Sequence, residues 1–256
     1  MVTTTAVGVA VSLLTYSPLM IVLFFVMVVA FAYLFAIDGF ISCFNFGARW
    51  GIAILMEFSV YPGVIGAWVF YKESSWIQAA IFTVSMYVLA SLLSVGYVLV
   101  QFFKLSREES STNPLYFVLV RRHKRESHTS GISVVTARVM FSTLACLTPG
   151  ALIYTLIKDI SGSYAESYFL TNMTDLYVHA VMLSVWIAYK ESSWIIASLW
   201  IILHLCFGSI TLCVYAVWQL FCLSPDQPAS LIIFNGNDIH LQQSDPLLMS
   251  HANVQV

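Results

Sequence analysis

YKESSW occurs twice in this chain, at Tyr71–Trp76 and at Tyr189–Trp194, each time between long apolar runs. Tyr and Trp suit a membrane–water interface, where a ring can be half wet. Lys72 and Lys190 close one helix, where positive charge suits the dipole. Glu73-Ser74-Ser75 and Glu191-Ser192-Ser193 open the next, where acidic and hydroxyl groups satisfy free N–H groups. Each hexapeptide therefore reads as a tight hairpin between two membrane spans.

Sliding the chain on itself by 118 residues lays Glu57–Ser106 over Asp175–Ser224 without a gap. Trp68 meets Trp186, Ser91 meets Ser209, Tyr97 meets Tyr215 and Gln101 meets Gln219. About a third of the paired positions are identical, which marks an internal repeat. A three-residue adjustment extends the match back to Tyr33 with Tyr154 and Asp38 with Asp159.

Composition sets the solvent. Of 256 residues, 59% are hydrophobic and 9% charged, with a net charge of -2. A soluble domain carries about 25% charged residues, so lipid surrounds this chain. Nothing in the charge balance suggests nucleic acid. Met1–Ile37 carries no charged side chain, which fits neither a cleaved signal peptide nor an Arg-rich transit peptide. The five cysteines form no C-x-x-C pair and read as small hydrophobes.

Six runs approach the roughly 20 residues a spanning helix needs. The first ends at Ile37 and starts near Pro18, although Ala6–Tyr16 is also apolar. The others are Trp50–Tyr71, Trp76–Phe103, Val139–Ile157, Met173–Tyr189 and Trp194–Phe221. The expected fold is an all-α membrane bundle of six spans in two three-helix repeats. Its segments are 1–17 (an N-terminal apolar segment, either part of the first span or lying in the interface), 18–106 (first repeat), 107–137 (a basic cytoplasmic loop), 138–224 (second repeat) and 225–256 (a flexible tail).

Three spans is an odd number, so the second repeat is expected to be inverted relative to the first. Positive residues collect on the cytoplasmic side. With the N-terminus outside, Arg49, Lys104, Arg107, Arg121, Arg122, Lys124, Arg125, Arg138 and Lys190 fall inside, and only Lys72 and Lys158 outside. Nine against two favours both termini lumenal or extracellular, in an endomembrane or the plasma membrane. The run Arg121, Arg122, Lys124, Arg125 sets topology and offers contact with anionic lipid headgroups. The sequon Asn172-Met173-Thr174 falls on the outer side.

Ionisable groups inside a span are functional candidates. Glu57 lies in the second span, and its repeat partner is Asp175. Tyr61 follows Glu57, and His179 follows Asp175, at the i+4 spacing that shares a helix face. In an inverted repeat the two pairs converge between the halves, where a carboxylate–histidine pair can relay protons. The plainer readings are that Asp175 caps its own helix, that Glu57 packs against a neighbour, and that His179 and His204 are satisfied interior histidines. No H-E-x-x-H, phosphate loop or G-x-S-x-G elbow occurs, so neither an enzyme nor a metal or cofactor site is expected.

Tyr154, Asp159, Asp175-Leu176-Tyr177, Trp186–Trp194, Gly208–Thr211 and Gln219–Phe221 together resemble a plant family of small multi-spanning membrane proteins known as a domain of unknown function. Leu176 departs from the aromatic residue of that pattern, and Cys222 stands where Lys is usual, as at Lys104. The resemblance implies an integral membrane protein and no activity. The first functional expectation is a small transporter or channel-like protein. The alternative is a membrane scaffold or accessory subunit that binds partners through the central loop or the tail. A membrane-embedded lipid enzyme ranks last.

Overall fold

The computed structural model describes residues 2–37, 49–121, 133–158, 166–236 and 238. Apart from one isolated bridge between Ser133 and Pro228, these residues form helices and turns and no strand. In chain order the helices are α1 Val2–Ile37, α2 Arg49–Lys72, α3 Trp76–Phe103, α4 Arg107–Thr112, α5 Pro114–Leu119, α6 Val134–Lys158, α7 Glu166–Lys190, α8 Trp194–Phe207 and α9 Ser209–Phe221. A 3-10 helix, Ala229–Ile233, follows.

Three helical stretches are long and apolar enough to cross a membrane by length and composition: Tyr16–Ile37, Trp76–Phe103 and Val134–Thr155. Their outer faces are bare of protein. Val29, Ile81, Val84 and Val139 are each more than 60% exposed, an apolar surface that lipid would cover. The N-terminal apolar segment and the first span lie in one helix, α1, which contains Pro18.

Length is not reach in α3. At Ala90 the backbone leaves the helix, with φ 52° and ψ -142°. The halves on either side then lie against each other. The Phe82 and Tyr97 rings are 4.8 Å apart, whereas 15 residues of straight helix rise about 22 Å. Ser94 Oγ donates to Met86 Sδ at 3.2 Å, and Tyr97 Oη donates to Glu73 at 2.5 Å. α3 is a helical hairpin whose second half, 91–103, returns to the YKESSW turn it left.

α8 and α9 repeat the construction. Gly208 holds φ 55° and ψ -132° between them. Trp200 and Tyr215 are 5.1 Å apart, Thr211 Oγ1 donates to Leu203 O at 3.0 Å, and Tyr215 Oη donates to Glu191 at 2.8 Å. Gln219 Nε2 also donates to Glu191, at 2.7 Å. The expected third and sixth spans are therefore corrected to hairpins that double back. Ala90 and Gly208 are 118 residues apart, the same offset that separates Glu73 from Glu191 and Tyr97 from Tyr215.

Both YKESSW turns lie at one end of the bundle. Lys72 Nζ donates to Val118 O and, at 3.0 Å, to Val120 O, while Trp68 Nε1 donates to Leu119 O at 3.1 Å. Lys190 Nζ donates to Phe234 O at 2.5 Å, and Trp186 Nε1 to Ile233 O at 3.0 Å. Phe234 then packs its ring on Tyr71 and Tyr116, at 6.1 and 5.7 Å. Asp238 accepts from Tyr189 Oη at 2.5 Å and from Asn113 Nδ2 at 3.1 Å. The guanidinium of Arg138, near the start of α6, donates to Leu220 O and Leu223 O, at the return end of α9. α2 and α7 thus end side by side. The expected inverted relation is not what this arrangement displays: both turns stand at the same end of the bundle.

The stretch 107–137 holds α4, with a Ser106–Glu109 capping box, then α5 and the start of α6. The expected flexible tail is packed through Phe234, which is fully buried; residues 239–256 lie outside the described residues. So do 38–48 and 122–132, with Arg122, Lys124 and Arg125 among them.

Candidate functional site

A helix that restarts leaves N–H groups without partners, and in lipid nothing else satisfies them. Ser91 restarts the helix after Ala90, and its N–H donates to Asp175 Oδ1 at 2.6 Å. Ser209 restarts it after Gly208, and its N–H donates to Glu57 Oε1 at 2.7 Å. The two carboxylates are exchanged: each caps the hairpin of the other half. α7 begins at Glu166, so Asp175 lies nine residues inside it and does not cap its own helix, correcting that reading.

Tyr61 and His179 meet between the carboxylates. Their rings stack at 5.2 Å with 12° between planes, and both residues are fully buried. All four expected site residues, Glu57, Tyr61, Asp175 and His179, are therefore brought into one cluster between the hairpin tips. His179 Nδ1 stands 3.3 Å from Asp175 Oδ2, an ion-pair distance without hydrogen-bond alignment. His179 Nε2 lies 3.2 Å from Ser94 Oγ, which ties the first hairpin to α7.

Glycine is favoured at position 208. Its positive φ disfavours any side chain, and a Cβ there would sit closer to Glu57 Oε1 than atoms can approach and 3.6 Å from the Tyr61 hydroxyl. The first hairpin carries Ala90 at the equivalent point and meets the shorter Asp175. A longer carboxylate faces the residue without a methyl, and a shorter one faces the residue with it.

His204 also belongs to the cluster. It is fully buried, its ring is 6.0 Å from that of Tyr61, and Nδ1 lies 2.9 Å from Gly208 O. A carbonyl only accepts, so Nδ1 carries the proton. His204 Nε2 and the Tyr61 hydroxyl are buried with no hydrogen-bond partner. Its counterpart 118 residues earlier is Met86, so the repeat pattern gave no hint of this histidine. The described residues hold no group of three or more His, Cys, Asp or Glu placed to bind a metal ion.

The described residues thus define an all-helical protein with apolar helices able to cross a membrane and a polar cluster between them. Over residues 6–239 the chain matches the family described as a protein of unknown function (DUF1475), and it belongs to that family. No curated protein and no solved structure matches it.

Proposed function

We propose that this is a multi-pass membrane protein of four spans, α1, α2, α6 and α7, and two re-entrant hairpins, acting as a small transporter or channel-like protein for cations. The observation that carries this reading is the exchanged pair of caps around the Tyr61–His179 stack. At 1.5 Å per residue each hairpin arm of 13 or 14 residues is about 20 Å long, so the tips lie deep in a hydrocarbon core about 30 Å thick. Broken helices whose ends meet between two halves of a bundle are a recurrent way to build a transport site. The two halves are related by an axis along the membrane normal, since four spans plus two returning hairpins keep both halves the same way up.

On this topology Lys72 joins the basic side and Arg49 leaves it, and the basic side becomes that of the termini. The count is again nine against two, with Lys72, Lys104, Arg107, Arg121, Arg122, Lys124, Arg125, Arg138 and Lys190 opposed to Arg49 and Lys158. The basic side is cytoplasmic, so both termini are cytoplasmic and Arg121–Arg125 faces anionic headgroups there. The scaffold alternative draws less support, because α5 and the Ala229–Ile233 helix already hold the two YKESSW turns.

Glu57→Gln and Asp175→Asn test the reading. Both retain an oxygen that accepts the Ser209 or Ser91 N–H, and both remove the charge. Proton and monovalent-cation flux into proteoliposomes should fall to the level of protein-free vesicles while the protein stays folded. Unchanged flux in both variants would remove the cluster from any transport pathway.

A further inference from the structure

The two hairpin tips are built alike, and each keeps buried polar atoms without a hydrogen-bond partner: Ser91 Oγ, Asp175 Oδ2 and His179 Nδ1 at the first, Ser209 Oγ, the Tyr61 hydroxyl and His204 Nε2 at the second. At the first, Asp175 caps Ser91, and Ser94 Oγ lies 3.2 Å from both Met86 Sδ and His179 Nε2. At the second, Glu57 caps Ser209, but Leu212 stands at the position of Ser94 and His204 at that of Met86. Leu212 offers no hydroxyl. His204 Nε2 is left as a bare acceptor beside a Tyr61 hydroxyl that also lacks a partner, both fully buried. Apolar side chains there would have cost less, since an unpaired buried polar group costs about 1–3 kcal/mol.

We propose that the tip of the second hairpin is a proton-binding site, with His204 Nε2 as the acceptor, Glu57 as its counter-charge and the Tyr61 hydroxyl between them. This rests on the transport reading only for its physiological use. The surroundings favour a cation. The titratable groups facing Tyr61 and His204 are Glu57 on α2, Asp175 and His179 on α7, and Cys213 on α9. α2 and α7 carry Lys or Arg only at their terminal residues, Arg49, Lys72 and Lys190, and α8 and α9 carry none, so no fixed positive charge stands within seven residues of Glu57 on its own helix. A metal ion would want several oxygens, and Gly208 O is already taken by His204 Nδ1 and the Leu212 N–H. An imidazole nitrogen with a free lone pair takes a proton instead.

The transfer balances within these residues. Once the Tyr61 hydroxyl, unpartnered in this structure, turns to bond both neighbours, a carboxylic acid at Glu57 gives its proton to the Tyr61 oxygen as Tyr61 passes its own to His204 Nε2. One O–H bond breaks and one N–H bond forms. The carboxylate that remains is held by the Ser209 N–H, and the imidazolium by Gly208 O. Glu57 Oε1 and the Tyr61 hydroxyl both stand beside the empty Cβ position of Gly208, which makes the two oxygens neighbours.

The test uses the full chain, 15N-labelled at histidine, in lipid nanodiscs, read by NMR between about pH 4 and 9. His204 should gain a proton at Nε2 within that range, and Tyr61→Phe should shift the midpoint while His179 stays stacked. A His204 Nε2 that never titrates overturns the proposal. In proteoliposomes His204→Met, the residue the first hairpin carries, should abolish proton flux. If wild type conducts protons and His204→Met conducts them equally, the proposal fails and the transport reading stands. If His204 titrates but no flux of any ion occurs, the site stands and the transport reading fails.

Discussion

Glu57 and Asp175 differ by one methylene, and the residues they reach over, Gly208 and Ala90, differ by one methyl in the opposite sense. The pairing makes a residue-scale prediction. Gly208→Ala forces a positive φ on a side chain and drives a methyl into Glu57, at about 2–4 kcal/mol. Adding Glu57→Asp should recover a large part of that loss, because it recreates the Asp175–Ala90 pair. Thermal unfolding in detergent measures both; a double variant no more stable than Gly208→Ala alone would break the link. The sequence already paired Glu57 with Asp175 and set Tyr61 and His179 one turn on. It could not say what the carboxylates touch. A cap is legible when it lies within three residues of its N–H, and here the partners are 152 and 84 residues apart. His204 was passed over for a related reason: its importance comes from a difference between the halves, not from their likeness.

An apolar run of 28 residues looks the same whether it crosses a membrane or turns round within it. Ala90 carries no turn signal, since alanine is the best helix former and rarely adopts positive φ. Gly208 did carry one, but a single glycine in an apolar helix reads equally well as a packing position. The clue lay in the polar residues. Glu73 with Tyr97, and Glu191 with Tyr215 and Gln219, sit at opposite ends of a straight helix and together in a hairpin. In a cysteine-free background, Ser75→Cys and Ser106→Cys should react with an impermeant maleimide from the same face of sealed membranes. Labelling from opposite faces would make α3 a span.

At the scale of the whole molecule, the repeat was legible and its direction was not. Six spans and four spans with two hairpins distribute the basic residues nine to two alike, because Lys72 and Arg49 change places. The tally therefore reports a strong bias and leaves the side of the termini to the span count. With α2 and α7 ending together, Ser75→Cys and Ser193→Cys should label from the cytoplasmic face, and tags at both termini should report the cytoplasm. One hairpin labelling from each face would restore the inverted arrangement. The shared end is held by more than the two turns. Phe234 lies between Tyr71 and Tyr116, and Asp238 joins Tyr189 to Asn113, so each half closes over a segment placed by the other.

The exchanged caps also impose an order on biosynthesis. Ser91 leaves the ribosome 84 residues before Asp175. At about 5–20 residues per second that is roughly 4–17 s of translation. During that time the first hairpin has no carboxylate for its restarting helix, and the nascent chain holds an unanswered N–H inside or beside the bilayer. Its tip can reach its final depth only once α7 has been delivered, so the insertion machinery must retain the first half until the second is made.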